Sequence, residues 1–188
     1  RNNIIIYSDV LNKEDFKIKK NRETVLRNLN ISNDSDVYLH IGSFSEAKNH
    51  KKLLGVFKEI VELNSKAHLI IVGSGDQVIE TRIHDYINVA KLRDKVTLTG
   101  QLSHVFDVLN AADLIIFPSK WEGLPGVLVE ASIMKKPILT SDIPPCEELS
   151  VFFPNIYVYD LENSDYNWAL KAERYLRKYK DNNMEFVE

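Results

Sequence analysis

Two carboxylates eight positions apart, Glu122 and Glu130, bracket a loop suited to holding an anion or a ring of hydroxyls. The residues between them include Gly123, Leu124, Pro125, Gly126 and Val127. Gly and Pro at a helix entrance let the backbone turn sharply and leave N–H groups facing outward. Unpaired N–H groups at the positive end of a helix dipole favour a phosphate or a polyol. One short segment therefore offers a loop carboxylate, a row of backbone donors and a helix carboxylate.

The neighbouring elements are placed to hold that segment. Leu114-Ile115-Ile116-Phe117 is an apolar strand ended by Pro118-Ser119, and the apolar run after Pro125 reads as a helix. The site thus falls at the carboxyl end of a strand, where open α/β sheets bind ligands. From Val37 onward, apolar strands alternate with helical periodicity, which predicts a doubly wound, mostly parallel, Rossmann-like α/β sheet. Strands are expected at 3–7, 37–42, 67–72, 96–100, 114–117, 137–140 and 156–158. Helices are expected at 22–29, from 48 or 49 to 63, at 79–91, from Ser103 through Asn110, after Pro125, from Glu147, and at 163–179. Phe16, Ile18, Val25, Leu26 and Leu29 are candidate buried residues of the lead-in, Ser103 is a candidate helix cap, and Pro144-Pro145 reads as a stiff turn. Residues 1–36 are taken as a linker and lead-in, 37–160 as the ligand-binding domain, and 161–188 as a C-terminal helix and tail.

Together, Ala112-Asp113, the strand into Pro118-Ser119, Glu122-Gly-Leu-Pro and Glu130 resemble the Glu-x7-Glu region of the retaining GT-B glycosyltransferases, the "group 1" family. The resemblance runs over residues 37–149. It implies the donor-binding half of an enzyme that moves a sugar from a nucleotide-diphosphate donor, expected to be UDP-linked, to a glycan or lipid-linked acceptor. It implies no cofactor and no bound metal, and an acceptor-binding N-terminal domain outside this chain. By the same resemblance Glu122 faces the transferred sugar as the catalytic carboxylate, and Glu130 accepts hydrogen bonds from the ribose diol. Lys48 matches the lysine that meets the diphosphate, whereas on residues alone it reads as a surface lysine. Ser43 stands where many members carry arginine, which removes one positive charge. The Gly73-Ser74-Gly75 loop would lie near the donor phosphates, or is a tight turn that needs positive φ. Gln101 and Leu102 either border the base or form a plain strand-to-helix turn. Two other readings share this sequence: a sugar-nucleotide epimerase of the same architecture, and a non-enzymatic nucleotide-binding module.

Composition narrows the class. Of 188 residues, 44% are hydrophobic, enough for a real core. Lys and Arg total 24 against 27 Asp and Glu, which lacks the basic excess of a nucleic-acid binder. The lysine-rich run from Lys17 to Arg22 reads as a solvated helix entrance or a contact for anionic lipid. Cys146, the single cysteine, rules out an internal disulfide and fits a reducing compartment. No apolar run reaches the length of a membrane span, and no signal-peptide pattern opens the chain. A cytoplasmic protein, in one case peripheral to the inner membrane face, is expected. The first residue is not Met, as in a piece of a longer protein. The five histidines show no pair at metal-ligand spacing with a supporting acid or thiol.

Overall fold

The computed structural model describes residues 17–181. The strand expected at 3–7 and the candidate core residue Phe16 lie outside that range. The elements in chain order are α1 (Arg22–Asn28), β1 (Asp36–Ile41), a 3₁₀ turn (Glu46–Lys48), α2 (His50–Leu63), β2 (Ala67–Val72) and α3 (Gln77–Val89). They continue with β3 (Val96–Gly100), α4 (Phe106–Ala111), β4 (Leu114–Phe117), α5 (Gly126–Ile133), β5 (Ile138–Ser141), α6 (Pro144–Phe152), β6 (Ile156–Tyr159) and α7 (Asp165–Asp181).

The six strands form one sheet in the order β3-β2-β1-β4-β5-β6, and every pairing is parallel. The strands read as continuous apolar runs because both faces are covered. Alternate residues face opposite cores. Val37, Leu39, Ile70, Ile115, Phe117 and Ile138 pack with residues of α1, α4, α5 and α6. Tyr38, Leu69, Ile71, Leu114, Ile116 and Leu139 pack with α2, α3 and α7. The chain moves outward from β1 to β3, returns, and sets β4 beside β1. A crevice therefore opens at the carboxyl ends of β1 and β4, the topological switch point of this sheet.

The flanking segments join the same two cores. Val25, Leu26 and Ile31 are buried against the α4 side, and Trp168, Ala169, Ala172 and Leu176 of α7 are buried against the α2 side. Asn21 caps α1 by accepting from the Thr24 N–H. The lysine-rich run is anchored by its backbone, because the Lys19 and Lys20 N–H groups donate to Asp107 Oδ1. Arg22 turns inward to Asp113, at 2.9 Å.

Several local expectations need correction. Ile18 is 50% exposed rather than buried. Ser103 does not cap α4, which starts at Phe106 after Val105 and carries no side-chain cap. Pro144 and Pro145 are not a turn ahead of a helix but the first residues of α6, where a missing N–H and a fixed φ cost nothing. Proline suits a turn and the first turn of a helix alike, which hid the helix start.

Candidate functional site

Two loops meet at the switch point. The first follows β1 and runs from Gly42 through the 3₁₀ turn to Asn49; the second follows β4 and runs from Pro118 to Pro125. Asn49 holds a left-handed conformation with φ of 53°, which an asparagine tolerates better than most residues. It does not cap α2; its Nδ2 donates instead to the Pro118 carbonyl at 3.1 Å. The Lys120 N–H donates to the Ala47 carbonyl at 2.8 Å. These two bonds lock the loops together and fix what lies between them.

Between them lie Lys48 and Glu122. The Lys48 ammonium donates to Glu122 Oε1 at 2.8 Å, and the side chains are only 16% and 11% exposed. The lysine arm passes so close to Gly42 that a Cβ there would come within 2.9 Å of its Cδ. Its Nζ sits 4.7 Å from the centre of the Phe117 ring, a cation–π contact at the end of β4. A glycine at 42 and an aromatic residue at 117 thus form the channel that aims this lysine.

Glu130 lies on α5, half-buried, and its carboxyl pKa is raised by burial. Its carboxylate has no hydrogen-bond or ion-pair partner among the described residues. Pro125 precedes α5 without a side-chain cap, so the first-turn N–H groups at Gly126 and Val127 carry no such partner.

Ser43, Gln101 and Leu102 come together around a cavity of about 270 Å³, floored by Ile41 and Val105. The Gly73–Gly75 loop closes one side for a steric reason. Gly73 has φ of 149° and stands where a Cβ would fall 2.0 Å from the Gly42 carbonyl oxygen. A Cβ on Gly75 would lie 2.6 Å from the Phe44 carbonyl oxygen, and Phe44 and Gly75 form a parallel bridge. Both glycines let the loops after β1 and β2 touch through their backbones.

The sequence profile of "Glycosyl transferases group 1" matches residues 21–184. The chain belongs to that family. Its match extends beyond the motif-bearing region in both directions and takes in all of α1 and α7. Among curated relatives of this group 1 chain, an uncharacterized glycosyltransferase of Methanocaldococcus jannaschii is 34% identical over 60% of this chain and 27% of its own length. The capsular polysaccharide biosynthesis glycosyltransferase CapH of Staphylococcus aureus is 24% identical over 94% of this chain and 53% of its own. The chain therefore spans about a quarter to a half of these relatives. Among solved structures, Anabaena HepE in complex with UDP superposes with a TM-score of 0.71 at 18% identity, over 93% of this chain and 45% of that one. The group 1 chain thus has the expected Rossmann-like fold, with every strand parallel.

Other features of this family member show their partners only in the structure. Asn49 and Lys120 do their work through a left-handed turn and a main-chain bond. Asp113, part of the motif region, accepts from the Val37 N–H at 2.7 Å and pairs with Arg22, so it ties β1 to α1 outside the crevice. His40 and His50, ten positions apart, bring their rings to 5.0 Å in an edge-to-face contact. Burial holds their pKa values down at about 3 and about 4, so both are neutral imidazoles. Cys146 is buried, and burial pushes its thiol up to about 11, as suits a packing residue. Among the described residues no helix is long and apolar enough to cross a membrane.

Proposed function

We propose that this chain is the donor-binding half of a retaining glycosyltransferase that takes its sugar from a nucleotide diphosphate, UDP before others. The observation that carries the reading is the meeting of Lys48 and Glu122 at the switch point, with Glu130 on the helix that follows and without a side-chain partner among the described residues. The Ser43–Leu102 cavity would take the base, and Glu130 the ribose diol. Lys48 and the first N–H groups of α5 would take the diphosphate, with no metal ion in the scheme. As the bond from the anomeric carbon to the diphosphate oxygen breaks, negative charge grows on that oxygen. A fixed ammonium and backbone dipoles stabilise it without reorganising. Glu122 would hold the sugar hydroxyls and offset positive charge at the anomeric carbon.

Glu122 holds the same ammonium that the diphosphate would take. Donor entry then exchanges one anion for another: the diphosphate takes Lys48, and Glu122 is released toward the sugar. HepE was solved with UDP and with UDP-glucose, and a UDP-galactose-dependent galactosyltransferase of Escherichia coli is 27% identical over 73% of this chain, which supports UDP as donor. The acceptor would be a glycan or a lipid-linked sugar held by an N-terminal half, with the enzyme in the cytoplasm or at the inner membrane face. Titration calorimetry of wild type and Lys48→Ala with UDP and with uridine tests the reading. The variant should lose about 1.5–3 kcal/mol on UDP, the value of a charged hydrogen bond, and nothing on uridine. Equal losses on both would remove Lys48 from the phosphates.

A further inference from the structure

The two central strands part where the crevice opens. β1 pairs with β2 as far as Ile41, but with β4 only as far as Leu39, opposite Ile115. On the other side, β4 pairs with β5 as far as Phe117, opposite Thr140. Among the described residues, no strand pairs beyond these levels with the segment that leads to Glu122. Its carbonyls still need donors, because a buried polar group without a hydrogen bond is costly.

Side chains supply those donors, from alternate sides. His40 Nδ1, 2.9 Å from the Ile116 oxygen, donates to it, since a carbonyl can only accept. Thr140 Oγ1 donates to the Phe117 oxygen at 3.1 Å. Asn49 Nδ2 donates to the Pro118 oxygen at 3.1 Å, and Ser141 Oγ to the Ser119 oxygen at 2.5 Å. Four successive carbonyls are thus held, two from the β1 side and two from β5. His40, Thr140 and Ser141 are fully buried. A main-chain ladder takes almost any residue type, whereas this clamp needs a donor of the right length at each position.

The bond from Ser141 has a counterpart. The Ser119 oxygen and the Lys120 N–H belong to one peptide unit. Ser141 holds the oxygen, and the Ala47 carbonyl holds the N–H at 2.8 Å. A planar peptide pinned at both ends has lost its freedom to rotate. Glu122 lies two residues after Lys120, and its partner Lys48 follows Ala47 directly. One peptide therefore joins the loop of the carboxylate to the loop of the ammonium, with Ser141 behind it.

We infer that Ser141 and Asn49 are positioning residues for Glu122. They act through the main chain at Ser119 and Pro118, from opposite sides, and so set where the carboxylate stands relative to Lys48. Ser141 ends β5, outside the two loops that build the site, so a third strand takes part in its geometry. That the positioned carboxylate meets a sugar rests on the donor-binding reading; the clamp does not.

Two measurements on this chain test it, with Ser141→Ala and Asn49→Gly. Glycine keeps the left-handed turn at 49, where φ is 53°, and removes only the amide. Amide hydrogen exchange reads the clamp. Protection at the Lys120 N–H should fall about tenfold or more in each variant, as local opening becomes easier. The Leu69 and Ile115 N–H groups, bonded within the sheet to Lys95 and Pro137, should keep their wild-type protection. Calorimetry with UDP-glucose and UDP reads the positioning. The ratio of the two affinities should move about threefold or more in each variant, in the same direction as in Glu122→Gln. The inference is overturned if Lys120 exchanges as in wild type, or if the sheet amides lose protection with it, which would make these residues general stabilisers. It is also overturned if the affinity ratio keeps its wild-type value while Glu122→Gln changes it. A ratio that Glu122→Gln itself leaves unchanged would instead sink the sugar role of Glu122, and hydrogen exchange would still decide the clamp.

Discussion

The Lys48 ammonium and the Glu122 carboxylate, 74 positions apart in the chain, are joined by a 2.8 Å hydrogen-bonded ion pair at the meeting of two strand ends. In the proposed reading Lys48 meets the diphosphate and Glu122 the sugar; in the structure each satisfies the other. A largely buried pair of this kind is costly to break from one side, since the charge left behind is desolvated. A diphosphate that replaces Glu122 avoids that cost for the lysine. On the proposed reading, the donor diphosphate would take Glu122's place on the ammonium.

Glu122→Gln separates the two roles. It keeps the size of the side chain but removes the anion that competes for Lys48. UDP should bind the variant as tightly as wild type or several-fold tighter. In the two-domain protein turnover should fall more than donor affinity, because charge at the anomeric carbon develops only in the transition state. Calorimetry and initial rates check both; weakened UDP binding would contradict the exchange, and normal turnover would remove Glu122 from the reacting sugar.

Gly42→Ala tests how the lysine is aimed. The new Cβ would sit 2.9–3.1 Å from three carbons of the Lys48 arm, a flexible chain that can move aside. The fold should therefore survive, with a change in melting temperature of a few degrees. UDP affinity should drop about tenfold, and uridine affinity should not change. UDP binding at wild-type strength would show that Lys48 does not need its channel.

Glu130→Gln should trade stability against binding. Burial raises the folded-state pKa of Glu130 above its ordinary 4.5. Such a group contributes stability that is complete below the unfolded pKa and is lost as pH rises through the folded value. At neutral pH the ionised carboxylate is therefore a small liability to the empty protein. The Gln variant should melt at the same temperature or slightly higher at pH 7, with the difference gone by about pH 4. UDP should bind it more weakly by about 1.5–3 kcal/mol, the range for a charged hydrogen bond. Unchanged UDP affinity would place the ribose elsewhere.

Three buried or half-buried histidines set the acid limit. His40, His50 and His68 are depressed from 6.5 to about 3, about 4 and about 4, in each case chiefly by burial. The unfolded chain binds these protons near pH 6.5 and the folded chain does not, so stability is present above 6.5 and falls as pH drops toward 4. Each contributes a slope of about 1.4 kcal/mol per pH unit in that window. His68→Gln, remote from the crevice with its ring on Thr97, should flatten the curve by one such proton. Urea unfolding at several pH values measures it; an unchanged slope would mean that His68 titrates alike in both states.

Sequence alone determined much of this protein, because strand and helix periods are local. The apolar runs at 37–41, 67–72 and 114–117 could only be buried strands, and Glu122-Gly-Leu-Pro with Glu130 located the crevice and the family. Local pattern is weaker where chemistry is ambiguous. Pro144-Pro145 suits a turn as well as a helix's first turn, and a run such as 17–22 gives no sign that its backbone is tied to Asp107. Other features were decided by contacts between distant segments. Gly73 and Gly75 read as a phosphate-side loop or a tight turn, and only the structure shows that a Cβ on either would strike the backbone of Gly42 or Phe44. Lys48 had no claim on Glu122 until the strand order put β4 beside β1, and the rings of His40 and His50 meet only because α2 packs against β1. Periodicity fixes which residues turn inward; only the crossing of strands and loops in space decides which of them meet.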